Sequence, residues 1–166
     1  MVALRNILVA TDFSECSNAA VGQGCMLAAK FGATIHLLHV VTEPLHEIWA
    51  CYASGAEFLD TVERLQDEAR TRLEEMVSPW DRRSGCVVIH TAWGDPSDQI
   101  LKVAREHGIE LIVCGTRGRR GQEHVMLGSV AERVVWLAPC PVLTVHAVKE
   151  KLTRDCDIER LAGAVA

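Results

Sequence analysis

Five short runs of β-branched and aliphatic residues, separated by segments with helical period, constrain this chain more than any other feature. They are Ile7 to Ala10, Thr34 to Val41, Cys86 to His90, Ile109 to Cys114 and Val142 to Val145. Runs of this length and apolarity read as strands buried on both faces, the kind found in parallel sheets. Parallel neighbours need a crossover connection, which a helix usually supplies. The longest helical segment, Glu57 to Val77, places Phe58, Val62, Leu65, Ala69, Leu73 and Met76 at steps of three or four. That spacing makes one apolar stripe, with charged residues on the opposite side. Strand and helix alternate throughout, so the expected class is α/β: an open, mostly parallel sheet with helices on both faces and right-handed crossovers.

Helix boundaries are written in residues with specific capping chemistry. Ser14 can cap a helix that ends at Gly32. Gly22 and Gly24 inside it each cost about 1 kcal/mol against alanine, so close packing against a neighbour is the expected compensation. Asp95 followed by Pro96 is an N-cap with proline at the first helical position, opening a helix that closes near Gly108. Ser129-Val-Ala-Glu132 has the spacing of a capping box, and Pro139 stops the helix that follows.

With 166 residues and no composition shift before the tail, residues 1–148 read as one domain. Residues 149–166 read as a C-terminal extension that docks as a short helix or frays. Residues 43–56 read as an irregular loop carrying Trp49 and Tyr52. No run approaches the ~20 apolar residues of a membrane span, and the first residues show no signal-peptide pattern, so a cytoplasmic protein without membrane association is expected. Seven scattered cysteines with no Cys-x-x-Cys pair fit reduced thiols, with Cys114 and Cys140 as core fillers. A formal charge of −5 argues against a surface for nucleic acid.

In open α/β sheets, ligands sit beyond the carboxyl ends of the strands. Polar and glycine residues gather there: Thr11-Asp12-Phe13-Ser14 after the first run, Thr91 to Gly94 after the third, and GTRGRRGQEHVMLGS, residues 115–129, after the fourth. Bare backbone at Gly115, Gly118 and Gly128, next to a helix N-terminus, has the ingredients of a phosphate cradle. The Ser129 hydroxyl either donates to phosphate or caps its own helix. A lysine P-loop and a dinucleotide fingerprint are excluded, because neither Gly-Lys-Ser/Thr nor Gly-x-Gly-x-x-Gly occurs where it is needed. His36 and His39 stand three apart on a strand and project to opposite faces, which argues against a metal shared between them. His124 can approach a phosphate, and Trp49, Tyr52 and Trp93 can wall a base.

Gly115-x-x-Gly118, nine residues, then Gly128-Ser129 resembles the nucleotide-binding signature of the universal stress protein family. The resemblance extends through ILVATDFSECS, LLHVV, GDPSDQIL, ELIVCGTRG and GSVAERVVWLAPCPVLTV, covering essentially residues 4–146. It implies five parallel strands in the order 3-2-1-4-5, a Rossmann-like fold of the adenine nucleotide alpha hydrolase-like kind. It also implies an ATP site, or one for AMP or ADP, with Mg2+ held through the phosphates. By position, Ala10 and Thr11 line the adenine pocket, the Val40 main chain meets the adenine edge, and Asp12 faces the ribose or the metal. Gly115, Gly118, Gly128 and Ser129 hold the phosphates, with Arg117 and Val130 at the rim. The family resemblance further implies a homodimer through the last strand, Pro141 to Val145. The expected function is a nucleotide-binding stress-response regulator, non-catalytic or hydrolysing ATP only slowly. The alternative is a nucleotide-free dimeric interaction module of the same fold.

Overall fold

The computed structural model describes residues 4–42, 55–84, 86–118 and 126–147. Its elements are β1 (Asn6–Ala10), α1 (Glu15–Phe31), β2 (Thr34–Val41), α2 (Gly55–Ser84), β3 (Val87–Trp93), α3 (Pro96–Glu106), β4 (Leu111–Gly115), α4 (Ser129–Leu137) and β5 (Val142–Val145). The five strands form one parallel sheet in the order β3-β2-β1-β4-β5. Both the sheet and its strand order are those expected.

Each central strand feeds two cores. Ile7 and Val9 of β1 join Leu37, Val113, Ala20, Val21, Cys25 and Leu73 on the face covered by α1 and α2. Leu8 points the other way, joining Leu38, Ile112, Ile100, Val103, Ala104 and Val134 under α3 and α4. Period-two alternation thus makes a short continuous apolar run serve both layers. No helix among the described residues is long and apolar enough to cross a membrane.

Local chemistry explains where the elements stop. Ser14 accepts from the Ser17 amide at the start of α1, and Gly32 ends that helix at φ +66°. Asp95 accepts from the Asp98 amide ahead of Pro96, and Gly108 takes φ +56° after α3. Gly24 packs so closely that a Cβ there would lie 2.4 Å from Val9 Cγ2, but Gly22 has nothing within 4 Å. The expected compensation by packing therefore applies to Gly24 alone.

Three expectations need correction. Strand β3 continues past His90, because Thr91, Ala92 and Trp93 pair with His39, Val40 and Val41. Only Gly94, at φ +127°, starts the loop there. Helix α2 extends through Pro79 to Ser84 rather than stopping at Val77. At α4 the cap is Gly128, in an extended conformation, with Ser129 as the first helical residue. Glu132 therefore falls one place beyond the capping-box position, and its amide bonds to the Gly128 carbonyl at 2.9 Å. The cause is the Gly128 amide, which donates to the Thr116 carbonyl at 2.8 Å and places the chain's turn into the helix one residue early. Arg119, Arg120, His124, Trp49, Tyr52 and the C-terminal extension lie outside the described residues.

Candidate functional site

The carboxyl ends of β1 and β4 come together around the first turn of α1. Thr11 is buried, its amide bonded to the Leu38 carbonyl at 2.9 Å and its hydroxyl 3.0 Å from that of Ser17. The Phe13 amide donates to Thr11 Oγ1, and the Ser14 amide donates to Asp12 Oδ1, both at 3.0 Å. These side-chain turns bend the chain sharply, and Phe13 takes φ +64°, which an aromatic residue rarely adopts. Such an outlier persists only where its surroundings hold it. Here the Phe13 ring packs 4.4 Å from His39 and lies beneath the Arg72 guanidinium at 3.9 Å.

Across the crevice, the Gly118 backbone approaches Asp12 so closely that a Cβ would lie 2.6 Å from Oδ2. At Gly115 a Cβ would lie 2.9 Å from the Cys16 carbonyl carbon and the Ser17 nitrogen. The Ser14 hydroxyl donates to the Arg117 carbonyl at 3.4 Å, a weak tie between the two loops. None of Gly115, Gly118 and Gly128 has positive φ. Space, not backbone conformation, is what these glycines provide.

Helix α4 starts beside this crevice. The Gly128 amide is used within the protein, so the amides available to an anion are those of the first helical turn, Ser129 to Ala131, where α-helices leave N–H groups unpaired. Ser129 is exposed, with the cap position belonging to its neighbour. At the other end of the crevice, Leu38 directs its carbonyl at Thr11. By the strand period, Val40 directs its N–H and C=O the same way, beyond Ala10, the last residue of β1. The structure thus brings Asp12, Gly115, Arg117, Gly118, Gly128 and Ser129 to the β1–β4 crevice, with Ala10, Thr11 and Val40 at its β2 side.

The Universal stress protein family model matches residues 3–146. The chain belongs to the universal stress protein family. Universal stress protein MJ0531 of Methanocaldococcus jannaschii is 32% identical over 149 residues, covering 89% of this chain and 85% of that one. The solved structure of protein MJ0577 superposes with a TM-score of 0.76 at 29% identity, covering 89% of this chain and 99% of its own. A universal stress protein solved in complex with cAMP shares the fold, with a TM-score of 0.59 at 24% identity, covering 89% of this chain and all of its own (100%).

Other candidates in this universal stress protein resolve differently. Trp93 packs edge-on against Phe58 at 5.6 Å, joining β3 to α2. Cys25 and Cys114 are buried, which pushes both thiols up to about 11 and suits core filling. Cys140, half-buried, packs against the second core. His36 and His39 do project to opposite faces: His39 Nδ1 meets the Thr11 carbonyl at 2.8 Å. His36 instead meets two histidines that no sequence spacing connects to it, His90 and His107. Burial, followed by the charge of His107, holds His36 below the usual imidazole range, and burial, then His107 and His36, bring His90 down to about 4.

Proposed function

We propose that this chain binds an adenine nucleotide, ATP or its mono- or diphosphate, in the crevice between the ends of β1 and β4. The observation that carries the reading is the approach of bare Gly118 backbone to the Asp12 carboxylate, with the open first turn of α4 beside it. Helix dipole and first-turn amides attract phosphate, and Arg117 adds positive charge. Asp12 suits a magnesium ion that bridges phosphates, because such an ion commonly takes only one or two protein carboxylates. One Asp12 oxygen is oriented by the Ser14 amide, while the other faces Gly118. Ala10 and Thr11 line the base side, where the main chain of Val40 supplies a donor and an acceptor for an adenine edge. Ser129 and Val130 border the phosphates. The cAMP complex of a related fold supports a nucleotide as the ligand class.

Nucleotide acts here as a signal or stabilising ligand in a cytoplasmic stress-response regulator, with hydrolysis slow at most. A ligand at one hundred times its dissociation constant adds about 2.7 kcal/mol of stability. Thermal melting with and without Mg-ATP, together with mass analysis of nucleotide retained from the expression host, tests this. No shift at millimolar ATP and no retained nucleotide would overturn it.

The chain also pairs with a second copy through Pro141 to Val145. The edge strand β5 exposes Leu143, and Trp136 of the preceding helix is 80% exposed. These exposed apolar residues also favour the second reading, a nucleotide-free interaction module. In that case Gly118→Val leaves partner binding unchanged.

A further inference from the structure

The histidine trio lies on the sheet face covered by α3 and α4, over β2 and β3 rather than between β1 and β4. His36 is the third residue of β2, opposite Leu8, and His107 caps the C-terminus of α3, at the edge where the strands begin. His90 of β3 pairs with Leu38, which makes it a diagonal neighbour of His36 on one sheet face. Ring centroids are 5.2 Å apart for His36 with each partner and 4.7 Å for His90 with His107. One nitrogen from each ring lies within 4.8 Å of the others, and His36 Nδ1 is 3.0 Å from His90 Nε2.

We propose that His36, His90 and His107 form a binding site for a divalent transition-metal ion of the zinc class, with a fourth position open to water. Around a tetrahedral ion with bonds of about 2.0–2.1 Å, ligand nitrogens stand about 3.3 Å apart. The His36–His90 pair needs to open by a few tenths of an ångström. The third ring needs to close by at most roughly 1.5 Å, within reach of side-chain rotation.

Three imidazoles and no carboxylate select zinc, cobalt, nickel or copper over magnesium or calcium. Burial is graded, with His36 6% exposed, His90 half-buried and His107 exposed, so the site has a floor, a wall and a solvent-side entrance. An ion there ties the end of α3 to the edge of the sheet formed by β2 and β3. It sits apart from the phosphate-bound magnesium of the nucleotide reading, and the two sites fill independently.

Calorimetric titration of the metal-free full chain with Zn2+ tests the site, with Co2+ as a spectroscopic probe. The expected result is one saturable equivalent whose affinity falls at least about 100-fold in His107→Gln and in His90→Gln separately, because changing even outer-shell partners costs 10–100-fold. His107 is exposed at a helix end, so His107→Gln keeps the fold, which circular dichroism checks. Bound Co2+ should show the strong visible bands of a four-coordinate nitrogen–oxygen site, and Mg-ATP should leave them unchanged. Zinc binding unaltered in both variants, thiolate-to-cobalt charge transfer, or no saturable binding at submillimolar zinc overturns the proposal and leaves a cluster of packed imidazoles.

Discussion

Gly128→Ala separates a glycine that serves a ligand from one that serves the protein's own packing. A Cβ at Gly128 would stand 3.4 Å from the Thr116 carbonyl oxygen and 3.7 Å from the Arg117 Cα, ordinary contact distances. Its backbone, φ −72° and ψ 157°, suits any residue. Alanine is a poorer N-cap than glycine, which costs about 0.5 kcal/mol and lowers the melting temperature by roughly 1–2 °C at this chain length. A phosphate docked on the α4 amides would instead meet a methyl group, with an expected tenfold loss of affinity, about 1.4 kcal/mol. At a nucleotide concentration of one hundred wild-type dissociation constants, ligand stabilisation then falls from about 2.7 to about 1.4 kcal/mol. The Mg-ATP-induced shift shrinks from roughly 5–11 °C to roughly 3–6 °C. Differential scanning fluorimetry reads both quantities, and calorimetric titration confirms the affinity ratio. An equal nucleotide-induced shift in wild type and variant refutes the close approach. A fall of more than about 5 °C without nucleotide refutes the claim that the protein itself leaves this space open.

Gly115→Ala should act in the opposite way, because its Cβ meets backbone of α1 at 2.9 Å: a loss of about 2 kcal/mol by urea denaturation is expected with or without nucleotide. Within α1, Gly22→Ala should stabilise by about 0.8–1 kcal/mol, whereas Gly24→Ala, forced against Val9, should destabilise by about 1–2 kcal/mol, the overpacking exceeding the gain in helix propensity. Equal melting temperatures for these two variants would contradict the packing described. Asp95→Ala should cost about 1 kcal/mol at pH 7 through loss of the α3 cap. The Ser97 hydroxyl, the Asp98 amide and Arg133 hold the Asp95 carboxyl below its usual range. The unfolded state therefore takes up the proton first as pH falls, so the stabilisation present at neutral pH is lost below about 3.8, through the lower folded value. Denaturation at pH 7 and pH 2.5 checks this, and a difference between wild type and variant that does not shrink at the lower pH would count against it.

The sheet was legible because its strands are short, apolar and separated by capped helices. Asp95-Pro96 and Gly32 act within a few residues of themselves, so spacing alone locates them. Thr91 to Trp93 misled for a related reason: running into Gly94 they fit a loop, but their pairing with His39 to Val41 depends on a strand some fifty residues earlier. Ser129 was ambiguous because capping is decided by one backbone turn, and the bond from the Gly128 amide to Thr116 places that turn one residue early. The β1–β4 crevice was legible through its glycine spacing. The close approach of Gly118 to Asp12 was not, since the two are separated by more than one hundred positions and meet only because β1 and β4 are neighbours.

The histidine trio shows how far strand order extends what a sequence can say. His36 shares its parity with Leu38 and Val40, all facing α3 and α4. With β3 placed beside β2, register sets His90 opposite Leu38, and parity puts it on the same face as His36. The return of α3 antiparallel to the strands then carries His107 to the edge from which β2 and β3 start. No single spacing among positions 36, 90 and 107 contains this; strand order, register and parity together do. The same reasoning applied to the opposite edge explains the crevice, where Asp12 leaves β1 as Gly115 leaves β4. One parallel sheet therefore presents two unlike sets of groups, bare backbone and a carboxylate between the ends of β1 and β4, and three imidazoles over β2 and β3.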